Sequence, residues 1–348
     1  MTKRLDHIEQ LRGLAAFAVL GFHSLVTKEP NVLNPTLAAV RTVLIHGWLG
    51  VHVFFAISGW CIAQRITSAR NRGETPWGYL YDRALRIYPT YWAALVFAVL
   101  MLAAEAPFNG IPLYRNSPHS IGVWLAEVTL TQPPFGYGSV LLVSWTLFYE
   151  LTFYVTSAVA LFLRRFHISG RTLLLIGGLV CPIFAWFPPT GFLLGLALWP
   201  HFFIGMLAWW YVFQKADGVW AASLISTLLA LFTESFPGGQ AEVALGTAFL
   251  LALAALHPPR LPPHVSRALT ALGAASYSIY LIHVPVISPF LNLAARVVSP
   301  KSNAYVGVWI IGLAVAIAAG IVVHNVVEVP CERWRHRTLA ARRADTPT

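Results

Sequence analysis

Charge is scarce in this chain, and acid is scarcer than base. Its 348 residues carry 14 Asp and Glu against 24 Lys and Arg, 11% charged in all, where a soluble chain carries about a quarter. Hydrophobic residues make up 57%, and the mean hydropathy is +0.64. So few polar side chains cannot cover a water-soluble globule, which leaves an all-α, polytopic membrane protein. Cysteine is nearly absent too. Cys61, Cys181 and Cys331 are scattered, with no CxxC pair, so neither a disulfide framework nor metal-ligand spacing is expected. The 12 histidines form no HxxxH or HExxH arrangement, and no metal is expected. There is no low-complexity tract and no inverted repeat of the kind that marks many transporters. No small-residue cleavage site follows the first apolar run, so that run is expected to stay as an anchor. A net charge of +10 would suit a nucleic-acid binder, but the placement of the basic residues accounts for it without nucleic acid.

Apolar runs separated by Gly, Pro and charge predict about ten transmembrane helices, over 13–27, 42–64, 87–104, 140–163, 172–187, 192–213, 219–233, 242–257, 274–297 and 304–327. The apolar stretch 119–131 is too short for a crossing and reads as a re-entrant or interfacial element in an outer loop. With the N-terminus inside, 19 of the 24 basic residues fall on inner segments, which places both termini in the cytoplasm. Residues 1–331 form a single transmembrane domain, and 332–348 a short basic, solvated tail at the inner surface.

Within the first run, Arg12 and His23 are eleven residues apart. On one helix that spacing returns to within about 20° of the same direction and separates the two by about 16 Å, half a hydrocarbon core of ~30 Å. An imidazole at that depth points to function, because an ionisable group in lipid is costly. Glu150, about ten residues into the fourth run, sits at similar depth, and a His23–Glu150 pair would suit general-base work, with Tyr149 and Tyr154 adding hydrogen bonds. Arg83 and Arg86 share one side of a helical turn, where two guanidiniums match phosphate oxygens; ordinary positive-inside charge or lipid headgroups would use them equally well. His52 and His283 each read either as a functional imidazole or as a bundle histidine satisfied by its neighbours. Glu328 reads as a partner for inner arginines.

Five segments in this order resemble the acyltransferase-3 family of integral-membrane O-acyltransferases: LDHIEQLRGLAAFAVLGFHS with Arg12 and His23, GVHVFFAISGW, RALRIYPTYW with Arg83 and Arg86, SWTLFYELTFYV with Ser144, Trp145 and Glu150, and ASYSIYLIHVPV followed by Glu328 and Pro330. His52 stands where many members carry Asp. The resemblance implies transfer of an acyl group, usually acetyl, from cytoplasmic acetyl-CoA or another acyl-CoA to a hydroxyl of a carbohydrate, a lipid-linked glycan or an exported small molecule, in the bilayer of the bacterial inner membrane. It implies His23 and Glu150 as catalytic and Arg12, Arg83 and Arg86 as donor-binding, with Ser58, Ser144, Tyr149, His52 and His283 in support. A transporter using Arg12, His23 and Glu150 as a solute or proton path is the alternative, and a structural scaffold would leave these groups unexplained. Direct transfer and a covalent acyl-enzyme step are both compatible with these groups.

Overall fold

The computed structural model describes residues 6–109, 120–187, 189–233 and 238–344, and among these the regular structure is entirely helical. The first helix, α1 (Asp6–Leu25), opens with Asp6 and Glu9, carboxylates that favour the positive end of the helix dipole, and then turns apolar. Asn34 caps α2 (Pro35–Leu44) by accepting a hydrogen bond from the Thr36 N–H at 2.8 Å, and Pro35 pre-sets its first turn. A 3-10 turn, Gly47–Leu49, leads into α3 (Gly50–Asn71). The run expected over 42–64 is therefore divided between two helices and extends to Asn71.

The next helix, α4 (Pro76–Asn109), begins eleven residues before the expected 87, so Arg83 and Arg86 are carried by the helix itself rather than by a loop. Ser120 caps α5 (Ile121–Thr129), which ends on a left-handed Leu130. Its nine residues extend about 14 Å, less than half the hydrocarbon core. After it come α6 (Trp145–Phe162), α7 (Gly170–Trp186), α8 (Trp199–Phe213), α9 (Gly218–Leu231) and α10 (Gln240–Leu256). Short 3-10 segments, Leu142–Ser144 and Gly191–Leu196, occupy what was expected as the starts of the spans 140–163 and 192–213. The stretch after Pro262 is a helix, α11 (Pro263–Ala274), rather than a plain loop. Then α12 (Ser276–Ala294) carries Pro285 and Pro289, and α13 (Ala304–Val323) runs through a π turn, His324–Glu328, into α14 (Val329–Ala344).

Five helical stretches among the described residues are long and apolar enough to cross a membrane: Pro35–Asn71, Pro76–Glu105, Leu142–Phe166, Ser276–Ala294 and Ala304–Ala340. Three shorter apolar helices, α7, α9 and α10, stand beside them. Large apolar side chains such as Phe17, Val96, Leu100, Ile183 and Ile310 point outward, a surface that suits lipid and not water.

At the centre α3 crosses α8. A Cβ on Gly59 would collide with the Phe202 carbonyl and one on Gly205 with the Ala56 carbonyl, so only glycine at both positions lets the backbones meet. Phe202 stacks on Phe153 at 4.5 Å between ring centres and packs on Phe55 at 4.6 Å, forming a dry aromatic core. Against this core α1 packs on α3, α11 and α12, while α4 packs on α6, α12 and α14. The stretch from Glu332 was expected as a solvated tail. It lies within α14, and Arg335 is buried, donating to Asp82 on α4 and to Glu332. Two carboxylates answer its guanidinium, which lets this one side chain leave water, while Arg333, His336 and Arg337 stay exposed.

Candidate active site

Five helices meet around a cavity of about 270 Å³. Arg12 enters from α1, Ser58 and Cys61 from α3, Arg83 and Arg86 from α4, Glu150 and Tyr154 from α6, and Tyr277 and Tyr280 from α12. The residues that resembled donor-binding positions thus come together in one place, with Ser58 and Glu150 beside them.

Glu150 Oε1 accepts from Tyr154 Oη, one helical turn on, at 2.5 Å and from Ser58 Oγ at 3.4 Å. The Arg83 guanidinium lies over the rings of Tyr154 and Tyr79, 5.7 and 5.9 Å from their centres. It also donates to Asp82 at 2.6 Å. Asp82 is a knot: Arg65 reaches it at 3.1 Å, and Arg335 pairs with its other oxygen. Arg65 continues to Glu74 at 2.5 Å. Burial opposes charge on Glu74, but hydrogen bonds from Arg65 and Arg72 outweigh it and hold its carboxyl below the usual range. Arg12 is 3.8 Å from Glu9, whereas Arg86 makes no ion pair among the described residues. The cavity is therefore a cationic recess whose arginines keep donors to spare for an anion.

His23 is not in that lining, and it makes no hydrogen bond to Glu150. It meets His283 instead, His23 Nδ1 to His283 Nε2 at 3.1 Å. The neighbours fix the tautomers. His283 Nδ1 faces the carbonyls of Tyr280 and Ile279 at 2.7 and 3.2 Å, so it must carry the proton. His283 Nε2 is then an acceptor, and His23 Nδ1–H donates to it and to the Val19 carbonyl at 3.0 Å. His23 Nε2 is left with its lone pair, the form a base requires. Tyr280 links the two parts: its ring lies 6.0 Å from that of His283, its hydroxyl is within hydrogen-bond distance of Thr146 Oγ1 at 2.8 Å, and it lines the arginine cavity.

The other expected supports lie elsewhere. Ser144 is buried, 3.5 Å from Gln132 Nε2. Tyr149 packs among Phe55, Trp145 and Phe148. His52 is buried against His201, ring centres 4.6 Å apart.

A family model described as an acyltransferase domain matches residues 5–325. The chain belongs to the acyltransferase-3 family. This acyltransferase-3 chain is also 34% identical over 135 residues to the exopolysaccharide production protein ExoZ of Rhizobium meliloti (strain 1021), a match covering 34% of this chain and 36% of that protein. The matched part is thus about a third of that relative's length. Over 311 residues it is 26% identical to the protein named "Putative acetyltransferase ORF330" of Acidianus two-tailed virus, covering 82% of this chain and 84% of that one. No solved structure matches.

Asp82, Tyr277, Tyr280 and Arg335 escaped the sequence reading. Asp82 sits among arginines, where local charge counting hides it. Tyr280 was detectable, since Tyr280 and His283 fall three apart on one helical face.

Proposed function

We propose that this acyltransferase-3 chain is a membrane O-acetyltransferase, with about ten transmembrane spans and both termini in the cytoplasm of a bacterial inner membrane. It would carry acetyl from cytoplasmic acetyl-CoA to a hydroxyl on a surface or lipid-linked glycan or an exported small molecule. The observation that carries the reading is the meeting of Arg12, Arg83 and Arg86 in one cavity. Planar guanidinium forks suit the phosphates of a polyanionic donor. The eleven residues from Arg12 to His23 rise about 16 Å along α1, and the pantetheine arm spans that order of length.

In this reading the arm passes Tyr280 and presents the thioester near His23. His23 Nε2 takes the proton of the acceptor hydroxyl, the oxygen attacks the thioester carbonyl, and the carbon–sulfur bond breaks. The imidazolium then returns its proton to the departing thiolate. His283 positions the base by accepting at its Nε2 from His23 Nδ1–H, the part first expected of Glu150. Glu150 instead sets the shape and charge of the arginine recess through Tyr154 and Ser58. The alternative, a transporter, has no observation in its favour beyond the same polar groups.

The test uses the full chain in cells or vesicles supplied with acetyl-labelled acetyl-CoA, with mass spectrometry of glycans and lipids. Wild type should add one acetyl mass to an acceptor, and His23→Ala should lower the yield by roughly 100-fold or more while the protein still inserts. Undiminished acetylation from that variant would remove His23 from the chemistry. Flux of an unmodified solute with no acetyl product would favour transport.

A further inference from the structure

A second, larger cavity of about 650 Å³ lies away from the acyl-transfer site, walled by α3, α6, α7 and α8. Its depth is apolar: Val180, Phe184, Trp199 and Phe203 line it. Its other end is polar, with Arg70, Ser169 and Arg171 at the mouth. From Gly170 to Phe184 along α7 is about 21 Å, which exceeds half the ~30 Å hydrocarbon core and matches the reach of one lipid chain from a single leaflet.

The mouth opens beside a surface depression of about 670 Å³ that shares Arg70 and Ser169 and adds Arg164 and Arg165. Arg164 and Arg165 make no ion pair among the described residues. Arg70 spends two donors on the carbonyls of Ala160 and Ile168, at 2.6 and 2.8 Å, and likewise meets no carboxylate. Glu74 borders the depression but is taken up by Arg65 and Arg72. Three guanidiniums without acids, at the rim of a chain-length apolar slot, complement an anionic headgroup carrying an acyl chain. We propose that this cavity binds an anionic phospholipid, its phosphate on Arg70, Arg164 and Arg165 and one chain between α7 and α8.

The test reads lipid by mass and does not depend on acyl transfer, so its failure leaves the proposed function standing. The full chain is reconstituted in nanodiscs of equal phosphatidylglycerol and phosphatidylcholine, released, and weighed by native mass spectrometry. One phosphatidylglycerol should stay bound in preference to phosphatidylcholine, by about fivefold for each arginine engaged. Replacing Arg164→Gln with Arg165→Gln, a surface change that leaves the packing alone, should reduce that preference by at least tenfold. Ala160→Phe, which fills the slot, should release the lipid while the melting temperature in detergent holds. Equal retention of the two lipids by wild type, an unchanged preference in the double variant, or release of phosphatidylglycerol by added coenzyme A would overturn the proposal.

Discussion

A single hydrogen bond carries much of the case for His23 as a base. His283 occupies its Nδ1 side, and the backbone of α12 dictates which nitrogen of His283 bears the proton. His283→Ala should therefore lower kcat by roughly 10–100-fold with little change in KM for the donor, as befits a residue that orients a base. A variant with unaltered kcat, measured from initial rates of acetyl transfer, would separate His283 from the reaction. The residues of this site were readable one at a time, because an imidazole or carboxylate in an apolar run is conspicuous. Their pairing was not. Whether His23 meets Glu150 or His283 is decided by how α1 sits against α12, and one-dimensional spacing carries no such information.

The same limit shows at the scale of the helix. Apolar periodicity located most of the helices, yet their beginnings moved wherever a cap or proline overrode hydropathy: Asn34 with Pro35, and Pro76, which starts α4 well before its apolar stretch and so lifts Arg83 and Arg86 onto a rigid frame. At the crossing of α3 with α8, Gly59 and Gly205 bring the two backbones into contact. Gly205→Val should cost about 1–3 kcal/mol, since the new side chain meets the Ala56 carbonyl and neither backbone can retreat. The check is thermal unfolding in detergent, where the variant should melt several degrees lower; wild-type melting would mean that the crossing is looser than drawn.

For the whole molecule, composition was decisive about class. A chain with so few charges has to hide its surface in lipid, and every regular segment among the described residues is helical. The direction of the spans rests on the basic-residue asymmetry, which is a statement about insertion and leaves no mark on the packing. On a background with the native cysteines replaced, single cysteines at Lys28 and Lys301 should react with an impermeant maleimide added to intact cells. Those at Lys215 and Arg333 should react only after permeabilisation. The reverse pattern would invert the orientation and place the arginine cavity on the wrong side for a cytoplasmic donor.

Asp82 divides one negative charge among guanidiniums from three places in the chain, and the share taken by Arg335 is charge that Arg83 keeps for an incoming anion. The far C-terminal helix thereby sets how attractive a recess more than two hundred residues upstream is to phosphate. Removing residues 329–348 should let the carboxylate settle on Arg83 and raise KM for acetyl-CoA by about tenfold, with kcat nearly preserved and restored affinity when Asp82→Asn is added. A fusion partner that pulls α14 away from Asp82 would be expected to mimic the deletion, so an assay on a tagged protein could mistake a disturbed anchor for a poor enzyme.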